Sequence, residues 1–297
     1  MSSRGIWKLI KETVDEWNRD NVSQMAAALA YYTLFSIAPL LVIAVAVAGA
    51  VFGEEAARGE IVRQIQGLVG KSGAEVIQTT LANTQDPNAG SGIVASLIGV
   101  VALIFGASGV FVQLQDSLNA VWNVEPDPKQ GVKAVVRKRV LSFAMVVTIG
   151  FILMVSLVVS AALTALNTFA SHLLPGFEIF WKLVNFGISF AAIALLFALI
   201  YKYLPDITIA WRDVLVGASL TSLLFSIGKD LLGLYLGNAT FGSTYGAAGS
   251  LVTFLAWIYY SVQIMLFGAE FTQVYARTYG SHRGVSDYSS RRSVKKK

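Results

Sequence analysis

Residues 31–52, YYTLFSIAPLLVIAVAVAGAVF, run for 22 positions without a charged side chain. At 1.5 Å per residue a helix would carry that run about 33 Å, enough to cross a hydrocarbon core ~30 Å thick. A secretory signal is the competing reading, because AVAVAGA (residues 44–50) offers an A-x-A pattern. The run is longer than an h-region of roughly 7–15 residues, and some thirty residues of mixed charge precede it. It reads as an uncleaved first transmembrane helix, with Pro39 expected to kink it.

The rest of the chain supports a membrane solvent. Of 297 residues, 55% are hydrophobic and 14% charged, with a mean hydropathy of +0.61. Soluble domains carry about a quarter charged residues, so this chain lacks the side chains to cover a water-facing surface. There is no cysteine, which excludes disulfides, thiolate metal sites and cysteine nucleophiles.

Six spans are expected, near 30–51, 93–112, 140–163, 181–201, 214–236 and 248–270. Basic residues between them divide unevenly. The N-terminal segment, the second and fourth loops and the C-terminal tail hold eighteen, against Arg58, Arg63 and Lys71 in the first loop. Cationic loops stay in the cytoplasm, so both termini are expected there, and an even number of spans agrees by requiring both on one side. The resulting organisation is a cytoplasmic segment (1–29), a six-helix domain (30–271) and a basic, disordered tail (272–297).

Within the first segment, Trp7, Ile10, Val14 and Trp17 recur at helical spacing among charged residues. Two readings stand: a helix lying in the membrane interface, or one packed on the end of the bundle. The first loop, 52–92, is expected outside. Ile61, Val62, Ile65, Leu68 and Val69 form one helical stripe in it, Val76, Ile77 and Leu81 a second, and Ser72 with Glu75 fits a capping box between them. GLVGKSG (67–73) is not a phosphate loop, because Ile65 stands where the pattern needs glycine. Basic residues of the tail suit anionic lipid, at about 1 kcal/mol each; nucleic-acid binding is the weaker reading of the same charges.

Two spans carry stripes of small residues. Gly92, Ser96, Gly99, Ala102, Gly106 and Gly109 share one face of the second, which turns polar at Gln113 and Asp116. Such a face either packs helices closely or walls a pathway. In the fifth, Ala218, Ser222, Ser226 and Asp230 are spaced by four. Lys229 lies one position round the helix, so it does not pair with Asp230; it either snorkels to the outer surface or belongs to the site. In the sixth, Gln263 and Glu270 share a face. Charges within a span are costly and mark candidate functional positions. The candidate pathway is therefore Gln113, Asp116, Ser222, Ser226, Lys229, Asp230, Gln263 and Glu270.

No enzyme motif is present. His172 and His282 fall in different loops, which assembles no His-based metal site or triad. No catalytic residue, metal or cofactor is expected, nor a nucleotide motif to drive a pump.

Four stretches carry a family resemblance: AAALAYYTLFSIAPLLVI (26–43), LNAVWNV (118–124), YKYLPDITIAWRDVLVGA (201–218) and WIYYSVQIMLFGAEFTQVYAR (257–277). Together they resemble the YihY/virulence factor BrkB family of bacterial inner-membrane proteins, formerly labelled ribonuclease BN. Nothing in the sequence could form a nuclease site. The resemblance implies six spans with cytoplasmic termini and marks Tyr31, Tyr32, Pro39, Trp122, Pro205, Trp257 and Glu270 as motif positions. It also implies transport of a lipid-like or amphiphilic molecule. The sequence therefore reads as an all-α, multi-pass inner-membrane transporter or flippase-like exporter without its own ATPase. A scaffolding protein of the envelope is the alternative, and either is compatible with a homo-oligomer.

Overall fold

The computed structural model describes residues 3–53, 109–124, 178–238 and 249–281, with isolated positions between 55 and 78. Every element among them is helical. Helix α1 is Ser3–Arg19 and α2 is Val22–Phe52. Residues 109–121 form the described part of α3. Helices α4, α5 and α6 are Glu178–Tyr203, Trp211–Asn238 and Gly249–Thr278. The external-loop stripes apart from Val62, which packs beside Leu41, Val45 and Phe254, the third span, the basic tail beyond Ser281, and Gly92, Ser96, Gly99, Ala102 and Gly106 lie outside the described residues.

Among the described residues, Phe186–Tyr203 and Leu251–Thr278 are long and apolar enough to cross a membrane. Helix α2 starts eight residues before the expected onset of its span. Its first turns, VSQMAAALA, are less apolar but rich in alanine, the best helix former, so the helix precedes the apolar run. It continues through Pro39 to Phe52.

The order of packing follows from the burial pattern. Helix α6 lies against α1, α2 and α5, and α5 lies also against α4. The core gathers at the end of the bundle that holds α1, where Val22, Ala26, Leu29, Leu118, Tyr201, Val214, Leu266 and Ala269 are buried together. Outward faces remain apolar: Tyr31, Phe35, Leu183, Phe186, Ile227 and Leu231 are all exposed. Large apolar side chains pointing outward on long helices suit hydrocarbon rather than water.

Glycines permit the tightest crossing. A Cβ on Gly217 would stand 1.7 Å from Thr272 Oγ1, and one on Gly268 would stand 1.8 Å from Thr221 Oγ1. The two contacts are reciprocal across α5 and α6, so these backbones approach as small-residue faces allow. Beside them the Tyr201 hydroxyl donates to the Met265 carbonyl at 2.6 Å and lies 3.0 Å from Thr221 Oγ1, tying α4 to both helices.

The loop from α4 to α5 is tied to α3. Asp206 accepts from Gln115 Nε2 at 3.1 Å and Asn119 Nδ2 at 2.9 Å, while its own N–H donates to Asn119 Oδ1 at 2.7 Å. Lys202 Nζ donates to the Ile209 carbonyl and sits 5.8 Å from the Trp211 ring centre. Asp213, buried at the start of α5, accepts from the Ser281 N–H and hydroxyl at 2.9 and 2.7 Å.

Candidate functional site

The junction between α1 and α2 builds the site. Asn21 adopts a left-handed conformation, φ 54° and ψ 44°, which asparagine tolerates better than most residues. The chain turns sharply there, and α1 folds back against α6. Leu9, Thr13 and Glu16, spaced by four and three, form the buried face of α1. The stripe expected from the sequence points elsewhere: Trp7, Ile10 and Val14 are exposed, with Ile6 beside them, while Trp17 packs on the core. Helix α1 thus packs on the bundle end and also presents an apolar row outward.

That fold places Glu16 and Asp20 beside Glu270 of α6. Glu270 is 0% exposed. Its carboxyl and that of Asp20 lie within hydrogen-bonding reach of each other. Yet Asp20 Oδ2 and both carboxyl oxygens of Glu270 are buried without a hydrogen-bond donor. Glu16 differs. Its Oε2 accepts from Arg19 Nη1 at 2.8 Å and its Oε1 from Arg277 Nη1 at 3.1 Å, so both guanidiniums are engaged by this carboxylate.

Burial raises the Asp20 pKa above its ordinary 3.8, and the negative charge of Glu16 adds to the rise. The nearby Glu270 carboxyl, as a group within hydrogen-bonding reach, and the charge of Arg19 work in the opposite direction and are outweighed. One helical turn beyond Glu270, Gln273 is also buried, and its Oε1 has no donor. Among the described residues no group of three or more His, Cys, Asp or Glu is arranged to hold a metal ion.

The family model for virulence factor BrkB matches residues 13–291, nearly the whole chain. The chain belongs to the BrkB family. It is similar to a UPF0761 membrane protein of Alteromonas mediterranea, 30% identical over 258 residues, covering 85% of this chain and 82% of the relative. A UPF0761 membrane protein of Psychrobacter sp. is 26% identical over 89% of this chain and 47% of its own length. A third, from Pseudomonas paraeruginosa, is 28% identical over 84% of this chain. The chain spans about half the length of these last two, 47% and 58%. No solved structure matches. Membership and the apolar helices together make this BrkB-family chain an integral membrane protein.

The eight residues singled out by sequence do not form one cluster in the described structure. Gln263 Nε2 reaches Ser23 Oγ at 3.4 Å, so Gln263 and Glu270 both face the start of α2 and the turn before it. Ser222 is buried and donates to the Phe190 carbonyl at 3.1 Å, while Ser226 donates to the Ser222 carbonyl at 2.8 Å. These hydroxyls serve the α4–α5 contact and the helix itself. Lys229 is half-buried, and the Asp230 side chain lies outside the described residues. On α3, Gln113 is half-buried and Asp116 exposed, while the buried polar groups are their neighbours Gln115, Ser117 and Asn119. Gly109 meets only ordinary contacts: a Cβ there would stand 3.5 Å from Ser36 Oγ.

Sequence reasoning flagged Glu270 by its charge but missed Glu16 and Asp20. Their signal was present: Glu16 and Asp20 are four residues apart, hence on one side of α1 and its extension.

Proposed function

We propose that this BrkB-family chain is a transporter or flippase-like exporter of a lipid-like or amphiphilic substrate, with no ATPase of its own. One observation carries the reading. Glu270 is an acid within an apolar helix, fully buried, with neither oxygen satisfied by a donor. An unpaired buried acid costs several kcal/mol, and intramembrane acids of this kind mark ion and substrate pathways. A purely structural helix gains more from an apolar residue at that position.

The remaining parts fit around that acid. The reading takes six apolar spans in the inner membrane, and the bias of basic residues supports placing both termini in the cytoplasm. The α1 row of Ile6, Trp7, Ile10 and Val14 then lies at the cytoplasmic headgroups, beside lysines that suit anionic lipid. In this reading the small-residue face expected of the second span walls the route outward. Reconstitution into liposomes of neutral and anionic phospholipid, with a fluorescent phospholipid as probe, tests the proposal. Protein-dependent exposure of the probe in the opposite leaflet is expected. Leaflet exchange no faster than in protein-free liposomes would contradict it.

A further inference from the structure

Among the described residues the charges around Glu270 do not balance. Glu16, Asp20 and Glu270 bring three carboxyls to one buried place, and Arg19 and Arg277 bring two guanidiniums. Both guanidiniums contact Glu16. The residual unit of negative charge therefore falls on Asp20 and Glu270. Two carboxylates in contact, with no donor between them, repel each other strongly in a low-dielectric site. A single proton removes both faults. It makes one carboxyl a donor to the other, and it brings the group of five side chains to neutrality.

We propose that Asp20 and Glu270 share one exchangeable proton, and that its uptake and release couple substrate movement to the proton gradient. The inference rests on the transport reading and supplies the energy source that reading lacks. Position supports exchange rather than permanent protonation. Glu270 lies eight residues from the end of α6, about 12 Å along the helix axis, and is sealed from solvent. Asp20 is half-buried in the turn, so it is the member of the pair that water reaches. A proton enters at Asp20 and passes to Glu270 across the hydrogen bond. Burial, with the charge of Glu16, holds the Asp20 pKa above its ordinary value, which favours the protonated form. Gln273, buried on the same stripe with its Oε1 lacking a donor, can accept from a protonated Glu270.

Two measurements on the full chain decide it. Infrared spectroscopy at neutral pH is expected to show the carbonyl band of a protonated carboxylic acid. Raising the pH should remove that band, and Glu270→Gln should abolish it. If Glu270→Gln does not accumulate, Asp20→Asn carries the same readout. Its amide keeps the shape and supplies Glu270 with an N–H donor, so the protein folds while the shared proton is lost. A band absent at neutral pH, unmoved by alkali, or displaced by sodium ions overturns the inference. In the second measurement, a pH gradient is imposed across the fluorescent-phospholipid liposomes. Translocation should rise several-fold with the gradient and lose that dependence in Asp20→Asn. Translocation indifferent to the gradient overturns proton coupling alone, whereas no translocation under any condition overturns the transport reading beneath it.

Discussion

Asp20 and Glu270, 250 positions apart in sequence, face each other carboxyl to carboxyl where α6 passes the turn joining α1 to α2. That relationship has a thermodynamic consequence at Asp20. Its native pKa is raised while the unfolded value stays near 3.8. Between the two, the native state binds more protons than the unfolded state, so stability falls as pH rises through that window. Below it both states are protonated and the effect vanishes. Thermal unfolding in detergent at several pH values should show the decline. Asp20→Asn should flatten it, leaving the variant more stable than the wild type on the alkaline side and equal to it in acid.

The α5–α6 crossing makes a second prediction. Gly268→Ala places a methyl 1.8 Å from Thr221 Oγ1 and 2.7 Å from the Tyr201 hydroxyl. Overpacking of this kind costs about 1–3 kcal/mol. Gly109→Ala, whose nearest neighbour would be 3.5 Å away, should be close to neutral. Melting temperatures of the two variants test the contrast, and equal effects would show that the crossing does not depend on glycine.

A third concerns the loop between α4 and α5. Asp206→Ala removes the acceptor for Gln115 and Asn119, side chains that are 1% and 8% exposed. Each hydrogen bond lost costs about 1 kcal/mol. Limited proteolysis should then cut the 204–210 loop faster than in the wild type, and Asp206→Asn, which keeps one acceptor oxygen, should be milder.

These three sites differ in how far the sequence disclosed them. Long apolar runs gave the helices, because hydrocarbon leaves a chain no other way to satisfy its backbone. Glu270 stood out for the same reason, as a charge where charge is costly. Its partner did not. Asp20 reaches Glu270 only because Asn21 turns left-handed and folds α1 back, and no periodicity encodes which side of the bundle α1 will meet. The tight glycine contacts were equally hidden. Gly99 and Gly106 belong to a dense stripe, whereas Gly217 and Gly268 are isolated in sequence and become a pair only across two helices. The buried polar residues of α3 alternate with Gln113 and Asp116, so a shift of one or two positions exchanged the expected face for the observed one.

Topology is a fourth prediction. Reporter fusions at the C-terminus should read cytoplasmic, and a fusion near residue 85 should read external. The opposite result at the C-terminus would invert the placement of Asp20 and α1 relative to the membrane.

The central claim, that the buried acid of α6 works in transport rather than in assembly, is met most directly by one comparison. Wild-type protein and Glu270→Gln are reconstituted at equal amounts, and translocation of the fluorescent phospholipid is measured in both. The account predicts that Glu270→Gln inserts, melts near the wild-type temperature because its amide gives Asp20 an N–H donor in place of the shared proton, and loses at least ten-fold in rate. A variant that is equally stable and translocates at the wild-type rate would contradict it.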